Sequence, residues 1–359
     1  MTAVTHTEFN ADTESLDVAK AFAGSIQGKN ILITGVNKGG IGFTTAQAFA
    51  SQSPAHIIIT GRSPAKLQES IEALQKEYPN VHYVGLKLDL SSQKSVREAA
   101  AEVLAMKDIP TIDILVNNAG VMLIPERTLS EDGIEMHFAT NHVGHFLFTN
   151  LILPKLIKAA EGKPKGVTRV VNVSSSSPTT AGVRFSDINF EKINKTLPED
   201  EQPHYQALQY WGEKDPENGS YFPREGYNQS KVANLLFTIG FNARYYDKYG
   251  LLSLAVNPGV VQTELQRHFS PEALTALQGF KEKGMVHLKT QGAGAATSLV
   301  AATDPGLGLP VSKDGKENYG AYLSDCQINT GAKAHAESNR NADRLWKLSE
   351  ELVKEEFPQ

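Results

Sequence analysis

The chain has 359 residues, 40% hydrophobic and 21% charged, and a formal net charge of −5. Such a composition is ordinary for a soluble globular protein, and its slight acidity gives no electrostatic reason to expect nucleic acid or an anionic membrane as a partner. The single cysteine, Cys326, excludes an internal disulfide and a cysteine metal cage.

Residues 1–28 read as a polar arm with one short helix near 16–22, and they lack the apolar core of a signal peptide. No run reaches the roughly 18 apolar residues that a membrane span needs. The final FPQ matches neither a peroxisomal nor a prenylation address, so a cytoplasmic location is expected. From Asn30 onward, apolar runs alternate with amphipathic stretches. The runs are 31–34, 56–60, 83–88, 112–116, 169–173 and 252–256. Each is short and nearly continuous, as expected of parallel strands buried on both faces. Between them, Ser63-Pro64 supplies an N-cap and a first-turn proline for a helix over 66–76. Ser91 or Ser92 caps a helix running through Val96, Ala100 and Val103. The alternation predicts an α/β fold: a single Rossmann-type, doubly wound parallel sheet with helices on both faces, spanning 29–330. Residues 331–359 form a helical C-terminal extension whose charged pairs read as a solvated face.

Two segments break the rhythm. Residues 176–226 carry seven aromatics (Phe185, Phe190, Tyr205, Tyr210, Trp211, Tyr221, Phe222) among charged residues, and so form either a packed wall or a surface loop. Residues 264–290 read as helical and carry Leu265, Phe269, Leu274, Leu277, Phe280 and Met285. Together they predict an apolar, aromatic pocket for a bulky lipophilic substrate.

The first apolar run leads into Gly35, Asn37, Lys38, Gly39, Gly40, Ile41 and Gly42, followed by a helical pattern. A strand, a glycine-rich turn and a helix start make an anion site, because the backbone can approach a pyrophosphate and free N–H groups point at it. Either Gly39 or Gly40 holds the middle glycine position, and the Gly40-Ile41-Gly42 triplet favours Gly40. An NAD site places an acid about 20 residues further on, whereas an arginine there accommodates a 2′-phosphate. Here the second run ends in Gly61-Arg62-Ser63 without a carboxylate. Arg62 and Lys38 therefore point to NADP(H). Asp89 and Leu90, ending the third run, belong beside the adenine, unless Asp89 caps the next helix.

Tyr227 and Lys231 in YNQSK are spaced i, i+4 on one helix face. An ammonium beside a phenol stabilises the phenolate, so the pair can hand a proton to a carbonyl oxygen or take one back. The His142–His145 interval resembles a metal motif but lacks a third ligand, so no metal is expected.

With these motifs in this order, the chain resembles the short-chain dehydrogenase/reductase family over about residues 28–265. Within it, NHVGHF, YNQSKVANLLF and GAYLSDCQ are most similar to the retinol dehydrogenase and WW-domain oxidoreductase group. The resemblance implies that Asn117-Asn118-Ala119-Gly120 supports the sheet beside the cofactor. It implies that Asn141 orders a relay water, that Ser175 polarises the substrate carbonyl, and that Tyr227 is the general acid/base. Lys231 would lower the Tyr227 pKa and bind the nicotinamide ribose. The segment carrying Pro258, Gly259, Val261 and Thr263 would meet the carboxamide. Ser175 stands in a run of four serines, and Ser174 remains open for its role. Ser175 and Tyr227 lie about fifty residues apart, far more than the family's usual connection.

The expected function is NADP(H)-dependent interconversion of a carbonyl and an alcohol, with a small-molecule substrate as the partner. An NADP(H)-sensing protein without turnover and a redox-neutral enzyme on the same fold are the alternatives. Family habit points to a homo-oligomer, with the terminal segments placed to block the usual helix contacts.

Overall fold

The protein is described from a computed structural model covering residues 2–263, 265, 275, 278–279, 281–284 and 286–357. Strands β1 (Asn30–Ile33), β2 (His56–Gly61), β3 (His82–Lys87), β4 (Ile114–Asn117), β5 (Arg169–Val173) and β6 (Leu252–Asn257) fall within two residues of the six apolar runs. Two short pairs follow, β7 (Val260–Val261) with β8 (Leu288–Lys289) and β9 (Val311–Lys313) with β10 (Lys316–Tyr319). The chain then returns to the main sheet with β11 (Tyr322–Ser324) and β12 (Gln327–Ile328), which no periodicity had marked. The sheet order is β12-β11-β6-β5-β4-β1-β2-β3. Within that sheet only β12 runs antiparallel to its neighbour.

Alternating side chains divide the core into two layers. Leu32, Leu115, Val170 and Ala255 face one side, packed by helices Gln93–Ala105, Gly144–Leu151 and Pro223–Tyr249. Ile31, Ile33, Val116 and Leu254 face the other, against helices Ile41–Ala50, Pro64–Glu77 and Gln291–Thr303. The two expected helix caps are present, Ser63 accepting from Lys66 N and Ser92 from Ser95 N.

The N-terminal segment, expected as a polar arm, lies against this second layer. Its helix Ser15–Ala21 buries Val18 and Ala19, while Thr5 N donates to Asp304 Oδ2 at 2.8 Å. The C-terminal helix Asn339–Val353 covers the outer side of Pro223–Tyr249 with Trp346, which is 1% exposed. Glu350, read as part of a solvated face, accepts from Trp346 Nε1 (3.0 Å) and Phe357 N (2.9 Å).

The 176–226 insertion is packed, with a polar hub at its centre. Buried Arg184 reaches Asp187, Asn194 and the carbonyls of Lys192 and Ser220, and its guanidinium lies 4.3 Å from the Phe190 ring centroid. Four of its seven aromatics are packed on each other or on arginines: Phe190 meets Tyr221 edge-on, Phe185 lies under Arg344, and Trp211 lies under Arg224. The neighbouring cavity, about 610 Å³, is lined by Arg184, Glu201, His204, Glu225 and Lys333. This face is charged, which corrects the apolar aromatic wall expected there. Phe269, Leu274, Leu277, Phe280 and Met285 lie outside the described residues.

Candidate active site

A cleft of about 200 Å³ opens where β1 and β4 diverge at their C-terminal ends, the point at which the strand order reverses. The glycines are there for close approach. Gly35 has φ +70°, and a methyl group on it would lie 2.6 Å from Ala119 Cα. A methyl on Gly42 would lie 2.5 Å from Asn118 Nδ2 and 2.7 Å from Gly35 O. Gly40 precedes helix Ile41–Ala50 with no side-chain cap, so the first amides of that helix are left for a ligand. Gly40 lines the cleft and Gly39 does not.

Thr34 ties this corner together. Its Oγ1 accepts from Asn118 N (2.9 Å) and Ala119 N (3.0 Å). Its one proton is therefore directed to His145 Nε2 at 2.8 Å, and His145 Nδ1 donates to Asn141 O at 3.0 Å. Burial pushes His145 down to about 4 and His142 down to about 3, so both are neutral. His142 bonds Ser349 in the core, and the pair packs the fold.

The expected catalytic residues converge, with one qualification on charge. Asn141 sits in a π-turn, Ala139–Val143, fully buried behind Gly120. Its amide is held by Val121 N (2.8 Å), Val121 O (3.0 Å) and Ser230 Oγ (2.9 Å). Lys231 is 3% exposed, and its Nζ donates to Val173 O at 2.9 Å. Burial draws its ammonium down to about 8. Ser175 is the hydroxyl acting on the Tyr227 phenol, and Lys231 Nζ lies 5.7 Å from the Tyr227 ring centroid. Burial pushes the phenol up to about 12, opposed by the Ser175 hydrogen bond and by the Arg224 guanidinium. Arg224, one turn earlier on the same helix, is thus a further cation acting on the phenol. Spacing i−3 from Tyr227 was the sequence signal that could have found it. Of the two serines, Ser174 lines the cleft and its Oγ donates to Lys231 O at 2.6 Å, whereas Ser175, the residue expected to polarise the carbonyl, acts on the phenol.

Of the expected cofactor residues, Gly35, Asn37, Lys38, Gly40, Ile41, Gly42, Arg62, Asp89, Leu90, Asn118, Ala119, Gly120, Tyr227, Lys231, Pro258 and Thr263 line the cleft. Gly259 and Val261 do not; Val261 packs over Gly294, and Gly259 backs onto Lys289. Asp89 also closes the next turn, accepting from Ser91 N at 3.0 Å and Ser91 Oγ at 2.7 Å. Thr60, Val121, Thr140 and Leu265 line the cleft without having been anticipated. Lys38 and Arg62 are exposed at its mouth and have no ion-pair partner among the described residues.

Residues 29–186 match the family model described as short chain dehydrogenase. The chain is 34% identical to "Retinol dehydrogenase 12" of Homo sapiens over 343 residues, covering 94% of this chain and 92% of that protein. The chain belongs to the short-chain dehydrogenase family. Another relative of this short-chain dehydrogenase, "Oxidoreductase fscI" of Fusarium equiseti, is 41% identical over 251 residues, 70% of this chain and 94% of that one. A solved structure described as NADPH-bound carbonyl reductase from chicken fatty liver shares the fold, with a TM-score of 0.54 at 20% identity, covering 84% of this chain and 99% of that one. Among the described residues of the dehydrogenase, no helix is long and apolar enough to cross a membrane.

Proposed function

We propose that this chain is an NADP(H)-dependent oxidoreductase interconverting a ketone or aldehyde and an alcohol, on a bulky lipophilic substrate. The observation that carries the reading is that Tyr227 and Lys231 line a cleft shaped for a dinucleotide, with Ser175 acting on the Tyr227 phenol. That cleft fits the cofactor on its own chemistry. Gly35 and Gly42 stand where any side chain would collide, open helix amides face the pyrophosphate position, and Lys38 and Arg62 offer unpaired cations for a 2′-phosphate. The lipophilic substrate is supported by the relatives named retinol dehydrogenase and by Val121 and Leu265 in the cleft lining.

When bound, the nicotinamide supplies or accepts the hydride. The protein supplies the proton and the electrostatics. With its pKa pushed up to about 12, Tyr227 is protonated at neutral pH and ready to donate to a carbonyl oxygen. Ser175 offers a second donor to the same oxygen, stabilising the charge that builds there. Lys231, anchored on Val173 O, directs its remaining donors into the cleft it lines. Asn141, clamped by Val121 and Ser230, is the fixed point on which a relay water would rest.

Tyr227→Phe removes the proton donor and its interaction with Ser175 while leaving the ring in place. It should abolish NADPH oxidation across a panel of ketones and aldehydes while NADPH still binds in a fluorescence titration. Activity equal to the parent protein rejects the mechanism, and NADPH binding with no turnover in the parent favours a sensor.

A further inference from the structure

The Ser175 hydroxyl stands at the head of a file of hydrogen bonds that leads away from the cleft. Its Oγ lies 2.7 Å from Ser177 Oγ and accepts from Ser177 N at 3.1 Å. Ser177 Oγ donates to Asn228 Oδ1 at 2.8 Å, and Asn228 Nδ2 donates to Glu225 Oε1 at 2.9 Å. Glu225 lines the charged cavity between the insertion and the C-terminal extension, so the file joins the Tyr227 phenol to a second opening.

Each hydroxyl carries one proton, and a carboxylate carries none when ionised. That count sets the direction of every bond in the file. With Glu225 ionised, Asn228 must present its NH₂ to the carboxylate and its oxygen to Ser177. The Ser177 proton is then used on Asn228, so the 2.7 Å contact is made by the Ser175 proton, turned away from the substrate. With Glu225 protonated, the Asn228 amide can turn over and donate to Ser177. Ser177 then donates to Ser175, and the Ser175 proton is released toward a carbonyl oxygen.

We infer that Glu225, Asn228 and Ser177 are positioning residues that aim the Ser175 hydroxyl, with Glu225 setting the direction from the second cavity. The inference rests on the reading of the chain as a carbonyl–alcohol oxidoreductase. The charged groups around Glu225 are Arg224 on its own helix and Arg184 and His204 from the insertion; Glu201, Lys333 and His335 line the same cavity. Burial outweighs the Asn228 hydrogen bond and the lowering effect of Arg224, Arg184 and His204, holding the carboxyl above its usual range. Its protonated form is therefore accessible at milder acidity than for a free glutamate.

The experiment measures NADPH-dependent reduction of a neutral ketone by the 359-residue chain and its variants. Losing a transition-state donor outright costs about 100-fold or more in kcat, so misaiming one is expected to cost about tenfold. Below the Glu225 titration, where the file aims the Ser175 proton at the substrate, Asn228→Ala and Ser177→Ala should each lower kcat by that amount with the KM for NADPH held within about twofold. In a Ser175→Ala background, Asn228→Ala should have no further effect, because its influence passes through Ser175. Parent kcat should fall as pH rises through the Glu225 titration, and Glu225→Gln should remove that limb. Melting temperature and NADPH binding identify any variant that misfolds, and Ser177→Ala serves if Asn228→Ala does. An equal loss from Asn228→Ala with and without Ser175, or full activity in both Asn228→Ala and Ser177→Ala, overturns the positioning and leaves the enzyme reading intact. A fully active Ser175→Ala, or a parent protein that reduces no carbonyl, overturns both.

Discussion

Replacing Arg62 tests the cofactor preference directly. Hydrogen bonds to charged groups contribute about 1.5–3 kcal/mol, but Arg62 and Lys38 are exposed, where water and salt weaken such pairs. Taking the low end, about 1.4 kcal/mol corresponds to about tenfold in affinity. Arg62→Ala should therefore raise the KM for NADPH about tenfold. Lys38→Ala, losing a point charge rather than a bidentate fork, should raise it about fivefold. Because the two side chains have no ion-pair partner among the described residues, neither deletion strands an opposite charge, and the double variant should combine the losses. NADH has no 2′-phosphate, so its KM should stay within about twofold in all three variants. Steady-state KM for both cofactors at a fixed carbonyl concentration, at low and high salt, reads the effect, and salt should shrink the NADPH preference. Parallel increases for NADPH and NADH would refute the 2′-phosphate assignment and make Arg62 a structural residue of the turn.

Two further perturbations probe the scaffold of the site. Gly42→Ala drives a methyl against Asn118 Nδ2, which must give up its bonds to Thr34 O (2.8 Å) and Gly35 O (3.1 Å). At about 1 kcal/mol per bond, the variant should lose about 2 kcal/mol of stability in urea denaturation and bind NADPH more weakly; undiminished binding would exclude this turn as the dinucleotide site. The buried His142 and His145 have folded-state pKa values of about 3 and about 4, below the free value near 6.5, so the unfolded chain binds more protons in between. Their contribution to stability should be complete above about pH 6.5 and lost as pH falls through that window. Chemical denaturation at pH 7 and pH 5 should show a smaller acid loss in His142→Gln and His145→Gln than in the parent, and identical losses would assign acid sensitivity elsewhere.

Much of this fold could be read from local signals. Six sheet strands are legible because β-branched and leucine runs buried on both faces carry their own signature, and the cofactor corner because only glycine tolerates the backbone of Gly35. Other features depend on contacts far away in sequence. Strands β11 and β12 are three and two residues long and exist only by pairing, β11 with β6, as Tyr322 does opposite Ala255, and β12 with β11. The choice between Ser174 and Ser175 turns on which hydroxyl is used by the Lys231 carbonyl, 57 positions away. The insertion misled because aromatic content does not say what an aromatic ring will face. Trp211 is taken by the Arg224 guanidinium at 3.6 Å, and Phe190 by Arg184. Helix spacing placed Lys231 beside Tyr227, but spacing does not register how far burial raises a phenol.

The long helix that carries Tyr227 and Lys231 is braced by its own chain. Trp346 is set edge-on against Phe146 and Tyr245 and tilted over Phe237, Arg244 caps its face, and Phe357 closes against Phe146. A neighbouring molecule could reach that flank only by first prising off the tail. The tail thus occupies one flank on which a second copy could brace the helix, and turnover per molecule is expected to stay unchanged on dilution.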